Sequence, residues 1–310
     1  MKRLPIMMIS GVCLLAAGCG APSSGALGPA PTATAKPSSP AVSPGTVSPG
    51  TGTASAAPSP SGQQPTATPA QGPVREIGLQ AWFSRNGKLF VTKRTVPATT
   101  GIGQAALDRM LTGPSAAEYA AGLRSRIPAG TTVLGMRISA GIATVDLSSS
   151  FESAASPAAM PLRIAQVVYT LTQFPTVTGV RFAINGQGVT VVGGVPVQSP
   201  QTRAMYSGYL PAITVRSPVI GARVTSPVTV SGTADVFEAT VSVRIGDSAG
   251  HEIARTFTTA SCGTGCRGDY SVTVSYSVPR TQPGTIEVFE SSAKDGQPVN
   301  VQLIPVTLAP

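Results

Sequence analysis

The sequence predicts a small α+β layer module followed by an all-β sandwich, both set behind a disordered N-terminal stalk. Three observations carry that expectation. Residues 20–72 hold 46 Pro, Gly, Ser, Thr or Ala among 53, with Lys36 as the one charge and no aromatic ring, too little apolar surface to fold. Residues 78–192 interleave strand pairs with two helical periodicities, and from Ile213 onward only short alternating segments recur. Setting aside residues 1–72 leaves 238 residues, which by ordinary domain sizes means two bodies, at 73–200 and 211–310, rather than one large core.

Residues 1–19 begin with Lys2 and Arg3, continue through the largely apolar run 6–17, and close on small residues before Cys19. The run is too short to span a bilayer, for which about 20 apolar residues are needed, and the pattern is that of a secretory signal. LLAAGC resembles a bacterial lipobox, with Ala16 where Leu is commoner. That resemblance implies that Cys19 becomes the lipidated first residue of the mature chain, held to a membrane by diacylglycerol chains worth about 0.8 kcal/mol per buried methylene. The expected location is the outer face of the cell membrane. The 11 prolines of 20–72 bias the stalk toward polyproline II. It could then reach roughly 160 Å extended at about 3.1 Å per residue, or about 40 Å as a coil.

Charge is distributed unevenly along the chain. Residues 73–210 carry 12 Lys or Arg against 5 Asp or Glu, whereas 211–310 carry 7 against 8. A basic domain ordinarily suggests nucleic acid, but an exported protein meets anionic lipid headgroups or wall polymers instead, so no nucleic-acid partner is expected, and scattered surface charge that serves solubility is the favoured reading of the excess. Arg85, Lys88, Lys93 and Arg94 cluster around the first predicted hairpin and form the candidate anionic-contact surface. Self-association is left open.

In the first module, GLQAWFS and KLFVTKRTV flank Arg85-Asn86-Gly87, a tight-turn signal, and predict a β-hairpin. Leu107, Met110 and Leu111 fall at helical spacing before Gly113-Pro114, and Ser115 with Glu118 spells a capping box for a further turn. TVLGMRI and ATVDL around Ser139-Ala140-Gly141 predict a second hairpin. Leu162, Ala165, Val168, Tyr169 and Leu171 mark the strongest helix in the chain, stopped by Pro175. Strands at 177–184 and 189–192 close the order ββ, α, ββ, α, ββ, which suits a mixed sheet with helices on one face.

ALDRMLTGPSAAE, IPAGTTVLGMRISAGIATVDLSSSF and AQVVYTLTQFPTVTGVRFAING together resemble the GerMN domain of spore-germination and envelope lipoproteins. The resemblance covers residues 78–192. It implies an extracytoplasmic module similar to ring-building assembly domains, with no catalytic residue to carry over.

In the second module, Val241, Val243 and Ile245 alternate with Thr240, Ser242 and Arg244, and Tyr270, Val272, Val274 and Tyr276 follow the same period, so one face of each strand is buried. About seven such strands in a hundred residues predict an immunoglobulin-like sandwich. SPVTVSGTADVFEATVSVRI and PGTIEVFESSAKDGQPVNVQLIPV resemble the immunoglobulin-like domain of bacterial spore germination over nearly the whole module.

Chemistry-bearing residues are few. Cys262 and Cys266 in an exported module are expected to form a disulfide closing a five-residue loop; a redox-active pair would more usually be spaced Cys-x-x-Cys. Zinc needs four ligands, and these thiols with His251 supply three, so no metal and no cofactor are expected. His251 follows Gly250 in a turn and lacks a buried orienting acid. Arg267-Gly268-Asp269 spells an adhesion tripeptide but sits where a hairpin ends. Gly101-x-Gly103 lacks the rest of a dinucleotide fingerprint. Glu238 and Glu290 are the one carboxylate pair that glycan cleavage could use, with no sugar-stacking cluster beside them. The expected function is therefore non-catalytic: a tethered envelope lipoprotein that binds or organises protein partners or wall polymer. The alternative is an extracytoplasmic accessory to a sensor kinase or wall hydrolase, which rests on analogy with GerMN-containing lipoproteins.

Overall fold

The computed structural model describes residues 75–310 apart from Ala155 and Pro157, and these residues fall within one compact unit. The signal, Cys19 and the 20–72 stretch lie outside the described residues.

The first hairpin pairs β1 (Glu76–Arg85) with β2 (Lys88–Pro97) in unbroken antiparallel register, Arg85 opposite Lys88. Its turn is Asn86-Gly87, at φ 51° and 73°, the left-handed pair that matches the right-handed twist of a hairpin. Two helices follow, α1 (Ile102–Leu111) and the single turn α2 (Ala116–Ala120). The capping box is present at α2: Ser115 Oγ accepts from Glu118 N, and Glu118 Oε2 accepts from Ser115 N at 2.7 Å.

β3 (Val133–Ser139) and β4 (Ile142–Leu147) form the second hairpin, and α3 (Met160–Leu171) carries the chain across to β5 (Gly179–Ile184), which runs parallel to β4. With β6 (Gln187–Gly188) the sheet order is β3-β4-β5-β6. The expected strand at 189–192 does not extend this sheet. Its end, β7 (Val191–Val192), pairs with β8 (Val195–Pro196) in a separate two-residue ladder, because after the Asn185-Gly186 turn the chain leaves β5 beyond Val189, whose N–H donates to Phe182 O at 3.2 Å.

The first hairpin likewise stands as its own two-stranded sheet. α3 explains why it stays there. Every residue of α3 except Pro161 is buried, the signature of a helix packed on more than one side. It contacts β1, β2 and β5. Its polar side chains satisfy strand backbone: Gln166 Nε2 donates to Trp82 O at 2.8 Å, and the Gln173 amide both accepts from Gln80 N (2.7 Å) and donates to Gln80 O (2.8 Å). A side-chain amide thus stands in for a neighbouring strand along β1.

The second module contributes β9 (Ile213–Ser217), β10 (Arg223–Val224), β11 (Val228–Ala234), β12 (Thr240–Gly246), β13 (Glu252–Thr259), β14 (Gly268–Val274), β15 (Gln282–Ser291) and β16 (Pro298–Leu308). They form two sheets, β10-β16-β15-β12-β13 and β14-β11-β9, antiparallel except for β10 with β16. Alternation is strict where expected: Val241, Val243 and Ile245 are buried, while Thr240, Ser242, Arg244 and Gly246 are half-buried. Tyr276 Oη reaches Val224 O (2.7 Å) and Ala309 O (3.0 Å), tying the β14 exit to β10 and to the residue that follows β16.

The buried apolar residues of the two modules run as one contiguous cluster from Trp82 and Tyr169 through Tyr206 to Ile213, Val215 and the second module. The segment between the modules is itself packed. Gln201 exchanges backbone hydrogen bonds with Val180 (2.7 and 2.9 Å), and Tyr206 is buried with its hydroxyl on Gln201 Oε1 at 2.6 Å. Burial, with Tyr209 nearby, pushes the Tyr206 phenol up to about 12.

Candidate functional site

A cavity of about 780 Å³ opens along the seam between the modules. The first module supplies Gln80, Trp82 and Tyr169, the connecting segment supplies Arg203 and Ser207, and the second module supplies Arg216, Asp235 and Arg267.

Each arginine is fixed by backbone. Arg203 donates from Nη2 to Tyr169 O (2.9 Å) and from Nε to Thr172 Oγ1 (2.7 Å), and its guanidinium lies 4.7 Å from the centre of the Tyr169 ring. Tyr169 answers by donating its hydroxyl to Arg203 O at 3.1 Å. Arg267 donates from Nη2 to Pro211 O (2.7 Å) and from Nη1 to Ala212 O (3.3 Å), so a side chain of the second module holds the connecting segment. Arg216 donates to Gly232 O (3.1 Å) and pairs with the exposed Asp269. Burial lowers the pKa of both Arg203 and Arg267, with Arg216 repelling Arg203 and Asp235 partly offsetting the loss at Arg267. Trp82 Nε1, buried beside the cavity, has no hydrogen-bond acceptor among the described residues.

The tripeptide 267–269 is accounted for by these contacts. Arg267 binds the connecting segment, Asp269 pairs with Arg216, and a Cβ on Gly268 would collide with the backbone of Cys262, so the three residues serve the structure. Cys262 and Cys266 are joined in a disulfide, and Cys266 lines the cavity next to Arg267.

The basic residues around the first hairpin are placed differently. Arg94 forms a two-pronged pair with Glu118 (2.8 and 2.6 Å), whose side chain is 3 % exposed and which also accepts from Thr92 Oγ1. Burial would raise the Glu118 pKa, but the hydrogen bonds from Arg94, Thr92 and Ser115 N and the Arg94 charge outweigh it and hold the carboxyl below the usual range. Arg85 crosses to the second module, donating to Leu303 O (3.0 Å) and Gln302 Oε1 (2.7 Å), and stacks 4.3 Å over Phe90. Lys88 Nζ donates to Gly208 O at 2.8 Å. Lys93 is exposed and makes no side-chain hydrogen bond among the described residues.

The remaining candidates are scattered. His251 is exposed, with Nδ1 3.5 Å from Asp247 Oδ2 in the turn between β12 and β13. Glu290 is spent on structure, accepting from Phe237 N (2.9 Å) and Asn300 Nδ2 (2.6 Å), while Glu238 is exposed at φ 53°. Gly101 caps α1 and Gly103 packs inside it against Met136. Among the described residues no group of three or more His, Cys, Asp or Glu is placed to hold a metal, and no helix is long and apolar enough to cross a membrane.

Arg203, Arg216 and Arg267 were not singled out by sequence. Arg203 falls in the gap between the two predicted modules, and arginines spread over 65 positions form no visible cluster.

Two family descriptions match this fold in chain order: "Sporulation and spore germination" over residues 82–190 and "Immunoglobulin-like domain of bacterial spore germination" over residues 212–297. The chain contains a GerMN domain followed by an immunoglobulin-like spore-germination domain. Both are non-catalytic modules. Among solved structures, the first GerMN domain of the sporulation protein GerM from Bacillus subtilis is 26% identical, with 41% of this chain and 98% of that one covered and a TM-score of 0.37. The tandem GerMN domains of the same protein are 16% identical, with 76% of this chain covered, 61% of that chain, and a TM-score of 0.37. Comparison with curated proteins gives no match.

Proposed function

We propose that this protein is a lipid-anchored organiser on the outer face of the cell membrane, in which the GerMN and immunoglobulin-like modules act as one binding body for envelope protein or cell-wall polymer. The second module is read as an immunoglobulin-like sandwich, its two sheets covering each other's apolar faces, with module limits at 73–200 and 211–310. Diacylglycerol on Cys19 fixes the position, and residues 20–72 serve as the stalk that sets the reach.

The observation that carries this reading is the clamped seam. Arg267 grips Pro211 and Ala212, Lys88 grips Gly208, and Arg85 grips β16, so both modules meet a partner with a fixed relative placement. A body that does not reorganise on binding avoids the ordering cost that a loosely linked pair would incur. Recognition then comes from a preformed surface, and no residue has to react.

In-cell crosslinking of the full chain, with identification of what is captured, tests the reading. Capture of an envelope protein or wall fragment that disappears when Cys19→Ser releases the protein from the membrane is the expected result. Capture limited to a membrane sensor or a wall hydrolase would move the protein to the accessory-regulator role. Unchanged membrane retention of Cys19→Ser would remove the anchor from the account.

A further inference from the structure

We propose that the seam cavity is a binding site for a phosphoryl group, held by Arg203, Arg216 and Arg267. The cavity's charged lining consists of these three guanidinium groups and one carboxylate, Asp235, whose Oδ1 already accepts from Gly265 N at 2.9 Å. With Asp269 paired to Arg216 from outside the lining, three guanidinium charges meet two carboxylates, so positive charge stays in excess by one, and Arg203 and Arg216 stand close enough to repel each other. An anion between them would relieve that repulsion.

The arginines also have donors to spare. Arg203 uses Nε and Nη2 on protein acceptors, Arg216 uses Nη2, and Arg267 uses both Nη1 and Nη2. Arg203 Nη1, Arg216 Nε and Nη1, and Arg267 Nε have no acceptor among the described residues. None of these nitrogens is shut away from solvent as Trp82 Nε1 and Arg163 Nε are. Because backbone carbonyls fix the used side of each fork, the unused side is preorganised, and little side-chain entropy remains to be lost on binding.

The directions of approach select the ligand class. Arg203 enters from the connecting segment, Arg216 from β9 and Arg267 from the entry to β14, three separate backbone segments around one space of about 780 Å³. A planar carboxylate is matched by a single guanidinium fork, whereas a tetrahedral phosphoryl group presents oxygens to several forks at once. The cavity exceeds a lone phosphate, so a phosphate ester fits it better than the inorganic ion. Such a group could belong to an anionic lipid headgroup or to a soluble or polymer-borne phosphate ester, and the chemistry of capture is the same. The inference deepens the proposed function only in taking the ester to be an envelope one. The site itself stands or falls on binding in vitro, whatever the crosslinking experiment returns.

The test is isothermal titration of the full chain in detergent with inorganic phosphate and with glycerol phosphate, beside flotation on phosphatidylcholine vesicles with and without phosphatidylglycerol. Arg216→Gln should weaken phosphate-ester binding by about tenfold or more, the loss of one charge-assisted contact. Arg203→Lys, which keeps charge but loses the fork, should give a smaller loss. Arg280→Gln, exposed and outside the cavity, should change nothing. Arg216→Gln must retain the wild-type unfolding temperature within a few degrees for the comparison to count; if it does not, Arg203→Lys carries the test. Arginine-dependent flotation would assign the ester to lipid, and arginine-dependent binding of glycerol phosphate without flotation would assign it to a soluble or polymer source. Absence of saturable binding to all three probes, equal affinity in Arg216→Gln, or acetate binding as tightly as phosphate would overturn the proposal.

Discussion

Two groups of basic residues lie near the seam, and they differ in what the fold has done with their charge. Around the first hairpin, Arg94 is paired with the buried Glu118 and Arg85 is committed to β16 and Phe90, while Lys88, which donates to Gly208 O, and Lys93 are both exposed to solvent. At the cavity, Arg203, Arg216 and Arg267 brace three separate segments around one common space, with Arg216 also paired to Asp269, and each keeps a nitrogen that faces this space's solvent side without an acceptor among the described residues. A run of positive residues in a sequence is thus a poor guide to free positive charge. What matters is how many carboxylates and carbonyls the folded chain brings to each one.

The contrast is broken most severely at Glu118. Glu118→Ala strips the partner from a largely buried Arg94 and is expected to cost about 3–5 kcal/mol in urea unfolding, as for other broken buried pairs. The same pair predicts the acid limb of stability. Because the folded Glu118 pKa lies below its unfolded value, its contribution is complete above the ordinary glutamate range and is lost as pH falls through the depressed value. Glu118→Gln should therefore flatten the loss of stability at low pH, read by thermal melts across an acid series.

Arg267→Ala comes next. It releases Pro211 and Ala212, should cost about 2 kcal/mol for charged hydrogen bonds, and should split one calorimetric transition into two if the clamp is what couples the modules. Replacing Cys262 and Cys266 with serine removes the cross-link of a short loop beside that clamp, worth at most about 2 kcal/mol by chain entropy. Hydrogen exchange should show the loosening confined to residues near the loop and Arg267. Lys93→Gln is the smallest, within about 0.5 kcal/mol of wild type, since no internal contact depends on it; a larger loss in urea would mean that Lys93 is held by an internal contact and is not free.

Much of the fold was legible because its signals are local. Asn86-Gly87, the Ser115 and Glu118 box, and the apolar spacing of α3 each specify their structure within a few residues. The alternation in β12 announced a half-buried strand in the same way. What could not be read was long-range. That α3 is enclosed, with Gln166 and Gln173 satisfying β1 across more than 80 positions, depends on partners the sequence does not place together. The short β7–β8 ladder was missed because Val189–Val192 has strand composition while the preceding turn decides what it can pair with. The cavity was the least visible, since its arginines come from three segments and one sits in a stretch that composition marks as a connection. The disulfide, by contrast, needed only two thiols and an oxidising address to be expected.

The central claim is that the seam is a fixed structural joint and not a hinge. Trp82, the chain's single tryptophan, lies in the GerMN module at that seam, so its fluorescence reports the joint while far-ultraviolet circular dichroism reports the strands of both modules. Heating the full chain with both signals recorded should give one superimposable transition. Tryptophan fluorescence changing at a distinctly lower temperature than the circular dichroism would show that the modules part before they unfold, and would contradict the account.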